Sequence, residues 1–207
     1  MKHYLMVDLG TGNSRVALVD SDGGILGLRT YTNVYHRDSA YEDGQYFLPE
    51  DWAALLLQGC RELCREHPDV QVNAVSAAGA RQSFVLLDGN GRAFLGLPNI
   101  DNRGRAYMAQ VPEHDEIYRL SGKWATEDFG AAKLLGLRMQ HPEQYEAVES
   151  VLSLSEWIAW IFTGRKVMEY TQACESQLYD IGQRSWSQTL CSFYGLRPEF
   201  LPPLQAA

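Results

Sequence analysis

A chain of 207 residues, 45% hydrophobic and 21% charged, can bury a substantial core and fits one large or two small domains. Its net charge of −8 argues against a nucleic-acid groove, which needs a clustered basic surface, and no lysine or arginine run reverses that balance. No apolar stretch reaches the ~20 residues that span a bilayer, and no basic region followed by a long apolar segment opens the chain, so a cytoplasmic protein without a membrane partner is expected.

Residues 1–7 read as an apolar strand that runs into Asp8, Leu9, Gly10, Thr11, Gly12, Asn13, Ser14 and Arg15, and a second apolar run, 16–19, closes at Asp20. The pair predicts a hairpin with a carboxylate at its mouth. Asp22, Gly23 and Gly24 predict a tight turn into a third strand, 25–28, with all three antiparallel. Residues 34–47 have no clean period and read as a loop. Pro49, Glu50 and Asp51 open a helix with Trp52, Leu56 and Leu63 on one face, and Pro68 lies beyond its end.

Residues 70–77 predict a buried strand and 83–87 another, separated by the polar break 79–82; Asp88, Gly89, Asn90 and Gly91 then turn the chain back into 93–97. This order predicts a mixed sheet with helices packed on it, in the α/β or α+β class. From about Gly104 the pattern becomes helical, over 115–120, 131–139, 142–148 and 155–162. The last has Ser153 or Ser155 as N-cap and Gly164 as its stop, with Trp157 and Trp160 expected in the core. A short strand and turn over 179–186 and a helix over 187–194, ending at Gly195, follow; the last four residues form no capping element. Cys60, Cys64, Cys174 and Cys191 lack metal-ligand spacing and are expected as reduced thiols.

Two polar clusters carry chemistry. In the first, Gly10 and Gly12 let successive N–H groups turn toward an anion, Thr11, Asn13 and Ser14 add short donors, and Arg15 adds a cation suited to phosphate oxygens. Asp8 would repel a bare phosphate and becomes useful where a hydrated Mg²⁺ stands between them. A polar hairpin turn uses the same residue types. The loop is neither a Walker loop nor the dinucleotide fingerprint, because it returns into a strand instead of a helix.

In the second cluster, Arg81 and Gln82 begin one strand, and Asn99, Asp101 and Arg103 follow its hairpin partner. A hairpin brings its two ends together, so Arg81 and Asp101 are expected to face one cleft suited to polyol hydroxyls; a structural ion pair between them is the competing reading.

Taken together, Asp8 to Arg15 and Asp20 resemble the first phosphate motif of the sugar kinase, actin and heat-shock-cognate ATPase fold. The ordered set of residues 77–87, 99–103, 155–164 and 170–181 resembles the N-terminal domain of the FGGY carbohydrate kinases over nearly the whole chain. Xylulose, gluconate and glycerol kinases of that family usually carry Trp where Asn99 stands; Asn99, Asp101 and Arg103, with Val75, Ser76 and Ala77, look closer to the autoinducer-2 kinases.

The resemblance implies a ribonuclease H-like (actin-like ATPase and sugar kinase) α/β fold, a mixed sheet with flanking helices forming a single N-terminal domain over residues 1–207. It implies ATP and Mg²⁺ as cofactors and a small sugar or polyol as substrate. Asp8 would order the Mg²⁺ shell through water, Gly10, Thr11, Gly12 and Asn13 would approach the phosphates, and Arg15 would support phosphoryl charge. Arg81, Gln82 and Asp101 would bind substrate hydroxyls, with Asp128 a weaker candidate. The general-base aspartate and a C-terminal kinase domain are expected beyond Ala207, which leaves the isolated chain with little turnover. A homo-oligomer stays open. A noncatalytic sugar-binding or regulatory module, and an actin-like or chaperone-type ATPase, are the alternative readings.

Overall fold

The first three strands, β1 (His3–Leu9), β2 (Asn13–Asp20) and β3 (Ile25–Thr32), form the expected antiparallel meander; the structure is a computed structural model and describes residues 1–206. Alternation decides the face. Leu5, Val7, Leu9, Val16 and Leu18 point to one side and are buried, whereas Met6, Asp8 and Arg15 point to the other and are exposed.

The segment expected as a loop carries a small hairpin, β4 (His36–Asp38) with β5 (Gly44–Tyr46), and Phe47 bridges to Gly96. Three-residue strands are too short to show a period. Helix α1 (Pro49–Glu66) starts on its proline and lays Trp52, Leu56 and Leu63 against the buried sheet face. Strand β6 (Val72–Gly79) then adds parallel to β1, giving the order β3-β2-β1-β6. The expectation of a buried strand fails here, because β6 is the sheet edge and Asn73, Ala74, Ser76 and Ala78 are exposed.

The mixed sheet expected from the strand order is therefore β3-β2-β1-β6, whereas strands β7 (Phe84–Leu87) and β8 (Ala93–Leu97) form the predicted hairpin in a second sheet. Its third member, β9 (Ser150–Ser153), pairs antiparallel with β7, which becomes the central strand. All four residues of β7 are buried. Phe84 and Leu86 enter one core with Ile117, Leu134, Tyr145 and Tyr194; Val85 and Leu87 enter the other with Leu5, Leu56 and Trp157. This strand joins the two halves of the molecule.

The later helices are α2 (His114–Ser121), α3 (Gly130–Gln140), α4 (Pro142–Glu146), α5 (Leu154–Thr163), α6 (Tyr170–Cys174) and α7 (Gln188–Tyr194). Ser153 occupies the N-cap position of α5 and Gly164 stops it at φ 70°, whereas the Ser187 side chain caps α7 by accepting from the Leu190 N–H. Trp157 is core, and Trp160 is partly buried against the same cluster. Leu204 and Gln205 pair with Met168 and Glu169 as a two-residue parallel bridge, so the tail is tied where no capping element was expected. Among the described residues no helix is long and apolar enough to cross a membrane.

Candidate phosphate and acceptor site

The turn joining β1 to β2 has its backbone fixed from behind. Asn33, just past β3, donates from Nδ2 to the carbonyls of Gly10 (2.7 Å) and Thr11 (3.2 Å), and its N–H donates to the Gly12 carbonyl (3.0 Å). The Tyr35 hydroxyl donates to the Thr11 carbonyl at 2.6 Å, and Ser14 Oγ donates to Asn33 Oδ1 at 2.6 Å. In a trans peptide the C=O and the following N–H point in opposite directions. Anchoring the Gly10 and Thr11 carbonyls on Asn33 and Tyr35 therefore turns the N–H groups of Thr11 and Gly12 the other way. Neither N–H is bonded to any group among the described residues. A pair of unbonded, adjacent amides is an anion-binding concavity. Gly12 is exposed, and a Cβ there would meet nothing within 4 Å, so the rim is open.

Asp8 and Arg15 stand at the mouth of this turn, opposite one another in the β1–β2 register. Arg15 Nη1 donates to Asp8 Oδ2 at 3.1 Å, with the two side chains 47% and 52% exposed. A half-exposed pair of this kind is weakly held and free to exchange partners. Asn13 opens β2 and is half-buried beside it.

The second cluster is arranged differently from the expectation. Asp101 does not face an open cleft with Arg81. It is fully buried, its Oδ1 accepting from the Gln45 N–H at 2.9 Å and its Oδ2 from Arg103 Nε at 2.7 Å. Arg103, equally buried, stacks over the Tyr41 ring at 5.0 Å and has Asp38 at 3.7 Å. Burial pushes the Asp101 carboxyl above its ordinary range, against the pull of Arg103 and Lys133. With both oxygens engaged and no surface exposed, Asp101 is a support for the loop.

Lys133 of α3 lies under the same loop with no exposure, and its Nζ donates to the carbonyls of Pro98 (2.9 Å), Asn99 (3.4 Å) and Asp101 (2.6 Å). Burial pulls its ammonium down to about 8, with the Asp101 carboxylate acting in the opposite sense. Loop and helix touch so closely that a Cβ on Gly104 would strike the Ala132 carbonyl and one on Gly136 the Arg103 carbonyl.

Arg81 is exposed and forms no ion pair among the described residues, with Asp101 or with any other carboxylate. Gln82 beside it adopts φ 60°, a left-handed backbone that costs a non-glycine residue on the order of 1 kcal/mol and is concentrated at functional turns. Asp128, ahead of α3, is exposed and accepts from Thr126 Oγ1 at 3.2 Å, with no hydrogen bond to Arg81, Gln82 or the β1–β2 turn.

Asn99 bridges the two clusters: its Nδ2 donates to Thr11 Oγ1 at 2.9 Å, and its N–H donates to Ser83 Oγ at 2.9 Å. The sequence places Asn99 in the second cluster without linking it to Thr11, and it passes over Asn33 and Tyr35. An asparagine and a tyrosine in an unpatterned stretch carry no signal until the turn they hold is seen.

The model of the FGGY family of carbohydrate kinases, N-terminal domain, matches residues 3–207. The chain belongs to the FGGY family. Among curated FGGY-like relatives, the Bacillus subtilis (strain 168) protein named "Putative sugar kinase YoaC" is 39% identical over 207 residues, 100% of this chain and 42% of its own length. The autoinducer-2 kinase of Salmonella choleraesuis (strain SC-B67) is 28% identical over 98% of this chain and 40% of its own length. A crystal structure of Plasmodium falciparum glycerol kinase with ADP superposes with a TM-score of 0.87 at 16% identity, over 99% of this chain and 43% of that one. The chain thus spans about two-fifths of the length of these relatives, and its fold is that of the FGGY sugar kinases.

Proposed function

We propose that this chain forms the phosphate-holding and acceptor-holding walls of a cytoplasmic, ATP-dependent carbohydrate kinase that phosphorylates a hydroxyl of a sugar or sugar-like compound. One observation carries the reading: the unbonded N–H groups of Thr11 and Gly12 beside the half-exposed Asp8–Arg15 pair, joined through Thr11 and Asn99 to the turn that bears Arg81 and Gln82. The relatives' names agree with it at the level of sugar kinases.

In this reading the Thr11 and Gly12 amides and Asn13 hold phosphate oxygens, and Arg15, released from Asp8, follows the charge that builds on the transferred group. Asp8 fits an ion held through water, since Arg15 occupies only one of its oxygens. Mg²⁺ bound with ATP supplies charge neutralisation. Arg81 and Gln82 orient the acceptor, and Asp128 stands as an outer candidate for the same task. Asp101, engaged on both oxygens, does not accept the acceptor's proton, and we assign that step to an aspartate of a second kinase domain following residue 207. Without such a base, turnover falls by roughly 10² to 10⁴.

A screen of pentoses, hexonates and polyols with MgATP, run on the full-length protein and read as ADP and sugar phosphate, tests the proposal. Phosphorylation of at least one compound is expected. ATP hydrolysis at the same rate with and without every sugar would overturn it in favour of an actin-like ATPase.

A further inference from the structure

The β1–β2 turn and the acceptor side meet through one side-chain contact, and its chemistry is specific. The half-buried Asn99 amide spans the Thr11 hydroxyl, with Nδ2 at 2.9 Å and Oδ1 at 3.3 Å. At the shorter contact Thr11 Oγ1 is the acceptor. Its own proton is then free to point with the Thr11 and Gly12 amides toward an anion, and Asn99 Oδ1 is left to accept from another hydroxyl. An amide can do both at once because its donor and acceptor ends are distinct.

Asn99 is also held through its backbone. Its N–H is held by Ser83 Oγ, and its carbonyl and those of Pro98 and Asp101 converge on the buried Lys133 Nζ. Beneath them the Asp101–Arg103 pair at 2.7 Å closes the loop onto Gln45. The result is a rigid bracket that presents one amide to one hydroxyl 88 residues earlier in the chain.

We propose that Asn99 is a specificity-determining residue that couples the acceptor to the phosphate turn: its Oδ1 takes a substrate hydroxyl while its Nδ2 holds Thr11 Oγ1 as an acceptor and frees the Thr11 proton for a phosphate oxygen. The inference rests on the kinase reading given above. An acceptor hydroxyl bound at Oδ1 locks the amide in the orientation that suits phosphate, so sugar and nucleotide bind more tightly together than apart. A side chain without a donor beside an acceptor would fill the space and lose the link.

The test is a double-mutant cycle in the full-length protein with Asn99→Ala, Thr11→Val and the double variant. The acceptor is the compound with the highest turnover in the screen, and MgADP is the nucleotide probe for calorimetry. Each single variant is expected to lose roughly tenfold in kcat/KM for the acceptor and to abolish the tightening of MgADP by that acceptor, with the double variant no worse than either single one. Thr11→Ser, which keeps the hydroxyl, is expected to restore the coupling, an outcome that a purely steric role for Thr11 would not give. Additive losses in the cycle, or acceptor-induced tightening of MgADP that survives Asn99→Ala, would overturn the coupling while leaving the kinase reading intact. Absence of any sugar phosphorylation by the unmodified protein would remove both.

Discussion

Three side chains with the same net charge chemistry, Asp8, Asp101 and Asp128, have different fates in this molecule, and the difference lies in what surrounds each oxygen. Asp8 is half exposed and singly bonded, Asp128 is exposed, and Asp101 is sealed against Arg103 and Gln45. Asp101→Ala leaves the buried Arg103 guanidinium without its nearest carboxylate, with only Asp38 at 3.7 Å to balance its charge, and we expect a loss of about 3–5 kcal/mol in a denaturant titration. Arg81→Ala should change stability by less than about 0.5 kcal/mol, because Arg81 is exposed and unpaired, while raising the acceptor KM.

Lys133 supplies a pH signature. Its pKa is lowered to about 8 in the folded protein from 10.5, so the unfolded chain binds more protons between those two values. Folding is therefore opposed below about pH 8 by the cost of burying the charge, and this penalty is relieved as pH rises toward 10.5. Relative to Lys133→Met, the parent protein should gain melting temperature across that interval; a difference independent of pH would contradict the assignment. The sequence makes Asp101 eligible for the site but not Asp101 as a support. Hairpin logic brings residues 81 and 101 near each other, yet nothing in it says that Arg103, two residues on, claims the carboxylate first.

At the scale of elements, the β1–β2 turn is a loop held by a neighbouring strand end. Asn33→Ala removes the Nδ2 donor shared by the Gly10 and Thr11 carbonyls and leaves Thr11 held by Tyr35 alone, and we expect a loss of about 1–3 kcal/mol together with weaker MgADP binding by the full-length protein, acceptor affinity being retained. Weakened acceptor binding with nucleotide binding unchanged would argue that Asn33 serves the other wall. The contact of α3 with the loop after β8 has no room for a methyl group, so Gly104→Ala should destabilise by about 2 kcal/mol or more, measured by chemical unfolding. Strands flanked by turn signals, such as β7 and β8 around Asp88 to Gly91, are legible in the sequence, as are helices with a Pro start or a Gly stop. Strand β9 is not, because Ser150–Ser153 is buried on both faces, shows no alternation and runs directly into α5. The mixed sheet with helices packed on it is present as β3-β2-β1-β6, but without β9 in view the β7–β8 hairpin is naturally assigned to that sheet instead of to a second one.

For the whole molecule, two cores share the strand β7, and the polar ends of β1, β6 and β8 converge where those cores meet. Ala80 N–H donates to the Leu9 carbonyl at 2.8 Å, and Asn99 reaches Thr11, so the turn that precedes the acceptor residues is pinned to the strand that bears Asp8. The two candidate clusters thus rest on one scaffold, which is what the proposed phosphoryl transfer by positioning would require. The family frame was legible from the ordered motifs, whereas the brackets behind them, Asn33 with Tyr35 and Lys133 with Asp101, depend on distant pairings that no local pattern announces.

The claim that the Asp8 end of this scaffold serves the transferred phosphate is tested most directly by Asp8→Ala in the full-length protein, measured as sugar phosphate formed from MgATP alongside calorimetric binding of the same sugar. Phosphorylation is expected to be lost, by roughly a hundredfold or more, with sugar affinity nearly unchanged. Undiminished phosphorylation, or loss of sugar binding in its place, would contradict it.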